Sequence, residues 1–304
     1  MNRRKFIRNL GIGAAGYALG TASGCGLQGR DDQITITLLH TNDLHAHIEP
    51  FEGDDPRFAG RGGLARIASM AKEFRKQNPN TLLFDAGDMF QGTPYFNYFK
   101  GELILKLMTA AGYDAGIIGN HEFDNGLSGL LEPLPNAGFP LISSNYDFSS
   151  TVLAGKIPRW KVFRRSGISV GVYGLGIELD GLVSKKSFGD TIYKNPLQVA
   201  REMETFLKGE QKCDLVVCLS HLGLDYQGER ISDKIIASET SMTDLIVGGH
   251  THTWLEEPLA LKNRDGKQVI VNQAWWGGLV MGKIDFTFEQ TGRKIKAIFA
   301  KNII

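Results

Sequence analysis

Apolar and polar positions alternate in two registers along this chain, and the registers themselves alternate. Residues 34–39 (Ile-Thr-Ile-Thr-Leu-Leu) begin with period two and pass into a continuous apolar stretch, which predicts a strand entering a buried sheet. Residues 63–77 change to helical spacing: Leu64, Ile67, Ala68, Ala71 and Phe74 share one face, with Lys72, Glu73, Arg75 and Lys76 mostly opposite. A strand at 81–84 and a helix at 102–111 follow, with Gly112 placed to stop the helix. Further strands are predicted at 115–118, 141–144, 168–175, 215–219, 245–247, 269–271, 282–288 and 294–300, and further helices at 196–208 and 230–238. Early strand–helix–strand alternation followed by hairpin-like strands predicts a mixed α/β sandwich rather than a purely parallel sheet.

Composition changes this picture little. The chain has 304 residues, 42% of them hydrophobic, which suffices for a sizeable core. No repeat, low-complexity segment or Gly/Ser-rich linker interrupts residues 34–304, so they are expected to form one domain. The net charge of +1 gives no general attraction to nucleic-acid backbones, and no nucleic-acid polymer is expected as partner. Cys213 and Cys218 lack a metal-binding CxxC spacing and are expected to be buried thiols.

Residues 1–33 are set apart as a signal and tether. Arg3-Arg4-Lys5 precedes a weakly apolar stretch from Leu10 to Leu19, too short and glycine-rich to span a bilayer, which takes roughly 20 residues. Ala22-Ser23-Gly24-Cys25 resembles a bacterial lipobox. The expectation is twin-arginine export to the periplasm or cell envelope, with membrane attachment only through a lipid on Cys25; an ordinary cleaved signal with an incidental cysteine is the alternative.

The candidate chemistry sits where the apolar runs end. Six of the seven histidines lie in short polar clusters: Thr41-Asn42-Asp43-Leu44-His45-Ala46-His47, Gly119-Asn120-His121-Glu122-Phe123-Asp124, Ser220-His221-Leu222 and Gly248-Gly249-His250-Thr251-His252. Asp85-Ala86-Gly87-Asp88 occupies the same kind of position. Asp43 and His45, an i, i+2 pair leaving a strand, should point to one side. Asp43, His45, Asp88, Asn120, His221, His250 and His252 offer seven oxygen and nitrogen donors and no thiolate. That is too many for one tetrahedral zinc and suits two first-row divalent ions, with Zn, Mn, Fe and Co equally compatible. Two such ions about 3.5–4 Å apart can activate a hydroxide and stabilise charge during in-line attack on phosphorus.

In order and spelling these clusters resemble the calcineurin-like metallophosphoesterases. His40-Thr41-Asn42-Asp43-Leu44-His45, Gly62-Gly63-Leu64-Ala65-Arg66 and Gly119-Asn120-His121-Glu122-Phe123-Asp124-Asn125-Gly126 narrow the resemblance to the 5′-nucleotidase branch, over residues 34–290. The resemblance implies a four-layer α-β-β-α sandwich. It implies one ion on Asp43, His45, Asp88 and His252, and a second on Asp88, Asn120, His221 and His250. His121 would be general acid or oxyanion stabiliser, oriented by Asp124, and Glu122 a supporting acid. The expected substrate is a small phosphate monoester, foremost a 5′-nucleotide. A cyclic-nucleotide or nucleotide-sugar phosphodiesterase and a sulfur-ester hydrolase share that donor set, and a non-catalytic binding subunit is disfavoured by its completeness. Full-length members of the branch carry a nucleoside-binding C-terminal domain, so a separate polypeptide supplying that grip, or a smaller substrate, is expected here. His40 is read as a satisfied strand histidine, Arg66 as a packing or ion-pair residue, Trp275 and Trp276 as buried surface, and Gln91-Gly92-Thr93-Pro94 as part of the site's rim.

Overall fold

The computed structural model describes residues 33–289 and 295–303. The predicted signal and Cys25 lie outside them, as does most of the predicted tether. Fourteen strands are present among the described residues: β1 Gln33–Thr41, β2 Thr81–Asp85, β3 Ala115–Ile117, β4 Leu141–Ile142, β5 Tyr146–Asp147, β6 Trp160–Arg165, β7 Ile168–Gly176, β8 Ile192–Tyr193, β9 Leu215–His221, β10 Leu245–Gly248, β11 Leu259–Lys262, β12 Gln268–Gln273, β13 Met281–Glu289 and β14 Ile295–Ile303.

Twelve of them make two six-stranded sheets, in the orders β14-β13-β1-β2-β3-β4 and β11-β12-β10-β9-β7-β6. In the first sheet β1 to β4 run parallel and β13 and β14 add antiparallel. In the second, β7, β9, β10 and β12 run parallel, with β6 and β11 as antiparallel edges. One apolar cluster joins Ile36, Leu38, Leu82 and Phe84 of the first sheet to Val170, Val172, Val217 and Val247 of the second. The sheets therefore pack face to face. A second cluster places Ile67 and Ala71 of the helix Leu64–Gln77, and Ile104, Leu105 and Met108 of the helix Glu102–Ala111, against Leu39 and Leu83. A third places Val199, Ala200 and Met203 of the helix Pro196–Gly209, and Ile236 of Asp233–Glu239, against Tyr173, Val216 and Ile246. The result is the mixed α/β sandwich that the patterning predicted, in the four-layer α-β-β-α form that the resemblance implied.

The patterning explains the layers. Every residue of β7 and β9 is buried, because these strands are covered on both faces. β1 is exposed only at its start, which matches its early alternation. Gly112 adopts φ 84° and its N–H closes the helix onto the Met108 and Thr109 carbonyls.

Several elements depart from expectation. The predicted strand at 141–144 stops at Ile142, where the chain leaves the sheet: Ser143 N–H turns to Pro158 O and Ser144 N–H to Gly174 O. The predicted helix at 230–238 starts at Asp233. Strands β5, β6, β8 and β11 and the helices Pro94–Phe99, Gly126–Leu131 and Lys185–Phe188 were not predicted. His40 is only half satisfied: Nε2 pairs with the Asn272 amide at 2.9 Å, while buried Nδ1 has no partner. Cys213 and Cys218 are buried free thiols, as expected.

Candidate metal centre

The site follows from the strand directions. The carboxyl ends of β1, β2, β3, β9 and β10 lie at one end of the two packed sheets, where open α/β sheets leave their crevice. The donor-bearing loops continue from those ends. The loops after β1 and β2 are laced together by Asp43 N–H to Gly87 O, His45 N–H to Asp88 O and Ala46 N–H to Met89 O, each at 2.9 Å.

The backbone there is unusual. Asp43, His45, Ala46, Asp88, His250 and His252 all have positive φ, between 45° and 72°. Non-glycine residues avoid this region, and strain of this kind collects at functional sites. It also corrects one expectation. Asp43 and His45 share a side because a left-handed turn aims them there, not because they alternate along a strand. Gly119 allows a close approach to a donor: a Cβ there would sit 2.3 Å from Asp88 Oδ1.

Two donor groups result. Asp43, His45 and His252 form one and Asp88, His221 and His250 the other, with the donor atoms of each group within 4.8 Å of one another. His252 Nε2 lies 3.3 Å from Asp43 Oδ1, and His45 and His252 face each other Nε2 to Nε2 at 3.0 Å. His221 Nε2 lies 2.9 Å from Asp88 Oδ2 and 3.9 Å from Asp43 Oδ1, so the groups adjoin. Asn120 joins the second group, its Oδ1 2.9 Å from His250 Nδ1. All seven predicted donors are thus in one place.

Their surroundings favour cations. His45 Nδ1–H donates to Gln91 O at 2.6 Å and His221 Nδ1–H to Ala86 O at 2.7 Å, which leaves each Nε2 facing the centre. His221 Nε2 is fully buried and finds no hydrogen-bond geometry. Burial alone would depress the His221 pKa, but the Asp88 and Asp43 carboxylates outweigh it and hold it at about 10. Burial lowers His45, and lowers His250 to about 4 with help from His221. Two neutral imidazoles, two buried carboxylates and one place that demands positive charge suit a pair of divalent ions.

His121 stands at the edge of the centre, its ring 5.3 Å from that of His45. Its backbone N–H donates to Asp88 Oδ1 at 2.9 Å, and its Nδ1 holds Asp124 Oδ2 at 2.8 Å. That hydrogen bond is the main cause of a pKa raised to about 9; partial burial opposes it and Asp88 adds to it. Glu122, buried, accepts N–H bonds from Asp88, Met89, Phe90 and Gly119 at 2.6–3.2 Å, and so ties the loop after β2 to the loop after β3. Burial and the Asp88 charge push its pKa up to about 7 against those donors.

The weaker expectations divide. Gln91 and Gly92 line the cleft, which encloses about 460 Å³. Trp276 lines it too, parallel to His252 at 5.8 Å, whereas Trp275 packs on Phe58 and Trp254. The expectation of two buried tryptophans fails for both, since each is only partly buried: Trp276 faces the cleft, and Trp275 has a positive φ of 60°. Arg66 is exposed on its helix and makes no ion pair among the described residues, so the packing or ion-pair role is not found. Asn42 was missed: its amide holds Asp43 Oδ2 and Trp275 O, and its oxygen accepts Ala274 N–H, all at 2.6 Å. Its place beside Asp43 in the first cluster was the available signal.

Fold and donors together define a mixed-sheet sandwich with two adjoining candidate metal-binding groups in a cleft at its strand ends. The chain belongs to the calcineurin-like phosphoesterase family, whose model matches residues 36–254. It is 34% identical over 290 residues to a snake venom 5′-nucleotidase of Gloydius brevicauda, covering 86% of this chain and 47% of that protein. The 5′-nucleotidase of Homo sapiens is 30% identical, with 86% and 48% covered. A crystal structure of a 5′-nucleotidase precursor from Thermus thermophilus superposes with a TM-score of 0.80 at 33% identity, over 89% of this chain and 54% of that one. The chain spans about half the length of these relatives.

Proposed function

We propose that this chain is the catalytic part of a metal-dependent phosphoric ester hydrolase that releases phosphate from small monoesters, 5′-nucleotides foremost. The observation that carries the reading is the meeting of two adjoining donor groups with a carboxylate-oriented histidine at their edge. The family and the relatives' names support the same chemistry.

Asp43, His45, Asp88 and His252 would hold one divalent ion, and Asp88, Asn120, His221 and His250 the other, Asp88 belonging to both sets. When bound, the ions supply Lewis acidity and positive charge where charge builds on the phosphoryl oxygens. The chain's own residues do the rest. Gln91 O and Ala86 O fix the tautomers of His45 and His221. Glu122 keeps the Asp88 and Asn120 loops together. His121 carries a proton at the rim, with Asp124 holding Nδ1, so that Nε2 can deliver a proton to the departing ester oxygen. Metal-loaded protein should release phosphate from AMP and p-nitrophenyl phosphate. His121→Ala should keep its ions by elemental analysis and lose about 10²–10⁴-fold in kcat. Ions bound without turnover, or turnover indifferent to His121→Ala, would refute this mechanism.

The cellular setting rests on residues 3–25 alone. We propose twin-arginine export and lipid attachment at Cys25, supported by Arg3-Arg4 and Ala22-Ser23-Gly24-Cys25. Labelled fatty acid should enter the wild-type chain and not Cys25→Ser; equal labelling of both would remove the anchor.

A further inference from the structure

The cleft at the donor groups adjoins further space at His47 and Gly92. A second cavity of about 570 Å³ lies beside it, and His47 and Gly92 line both. That volume is ordinary for a small-molecule site. The wall between them is a set of flat rings. His47 stacks on Phe51 at 4.4 Å and 19°, which covers one face of the imidazole. Trp276 meets both rings edge-on, at 84° and 82°, and lies parallel to His252 on the metal side. The ring nitrogens of His47 have no hydrogen-bond partner among the described residues.

The charge of this cavity is one-sided. Glu52 and Asp54 line it, both exposed and neither side chain in an ion pair or hydrogen bond among the described residues, and no lysine or arginine lines it. Flat rings bind a flat ring by stacking, and unpaired carboxylates accept hydrogen bonds and repel anions. The cavity is also close to the reacting centre. His47 follows His45 by two residues, so their Cα atoms are at most about 7 Å apart.

We propose that this cavity receives the leaving group: a nucleobase stacks against His47, and its exocyclic amino group donates to Glu52 or Asp54. The proposal rests on the phosphatase reading above and names the substrate class of that same site. A base with a carbonyl in place of the amino group would set oxygen against carboxylate with no proton between them. A leaving group with further phosphates would meet the same negative lining. The enzyme therefore selects nucleoside monophosphates with amino-bearing bases.

Two substrate pairs test this with phosphate and sugar held constant: CMP against UMP, and AMP against IMP. The amino-bearing member of each pair should have a kcat/KM about 5- to 150-fold higher in the metal-loaded enzyme. Glu52→Gln combined with Asp54→Asn should bring both ratios toward one. His47→Ala should lower kcat/KM for all four nucleotides by about 5- to 150-fold, the scale of one stacked base. A general loss from misfolding or poor metal loading lowers both members of a pair alike and leaves their ratio intact. Titration with cytidine and uridine, read by tryptophan emission, gives the same comparison without turnover, and cytidine should bind more tightly. Ratios near one in the wild type, or ratios that survive the double substitution, overturn the proposal. Failure of every substrate, p-nitrophenyl phosphate included, overturns the phosphatase reading and this inference with it.

Discussion

At the scale of single residues, the carboxylate behind His121 sets when that imidazole holds its proton. The Asp124 hydrogen bond is the largest cause of the raised His121 pKa of about 9. An acid that must be protonated to work loses activity as pH rises through its pKa. Asp124→Asn removes the charged acceptor, so the pKa falls back toward the ordinary imidazole value near 6.5, on the order of the model-peptide figure. The alkaline limb of the kcat profile should move to lower pH by roughly one unit or more, with the acid limb unmoved. An alkaline limb that stays in place would show that His121 is not the proton donor. These residues were legible in the sequence because they sit in short polar clusters at the ends of apolar runs. Asn42 was equally visible and was passed over. Its neighbour Asp43 has the ionic chemistry, and nothing local shows that the Asn42 amide spans to Trp275 and Ala274.

At the scale of elements, the loops after β2 and β3 depend on one buried carboxylate. Glu122 satisfies four backbone N–H groups, and orphaned buried donors cost about 1–3 kcal/mol each before relaxation. Glu122→Ala should therefore cost on the order of 3 kcal/mol or more, read as a lower urea midpoint. Metal affinity should fall about 10- to 100-fold, as when a supporting partner of a ligand is lost. Unchanged affinity in a well-folded variant would detach Glu122 from the centre. The buried strands and long amphipathic helices were legible, since coverage on one or both faces writes itself into the apolar pattern. Of the missed strands, β6 and β11 are the two edges of the second sheet, and β5 and β8 are two-residue strands that pair with each other. Edge strands are half solvated and carry charges such as Lys161, Arg164 and Lys262, which hides their period. The helix Pro94–Phe99 is six residues long and rich in aromatics, a composition that reads as strand or loop.

At the scale of the whole molecule, the centre draws on both sheets: Asp43, His45, Asp88 and Asn120 follow strands of one, His221, His250 and His252 strands of the other. Ions held between them would crosslink the two halves of the sandwich. Ligands that bind only the folded state stabilise it, by about 2.7 kcal/mol per site at a hundredfold excess over Kd. Chelation should lower the melting temperature by several degrees, and restoring divalent ions should recover it together with activity. A melting temperature indifferent to chelator would place the ions, if any, elsewhere.

The sequence by itself determined a mixed α/β sandwich and seven candidate donors, because burial periodicity and donor chemistry are local properties of residue order, and the spelling of the donor clusters carried the resemblance that implied four layers. Tertiary structure alone decided that left-handed turns rather than strand alternation aim those donors, and that His47 borders a second cavity beside their cleft. These depend on distances between segments far apart in the chain, such as those of His45 and His252. Only the packing of one sheet on the other brings such segments together.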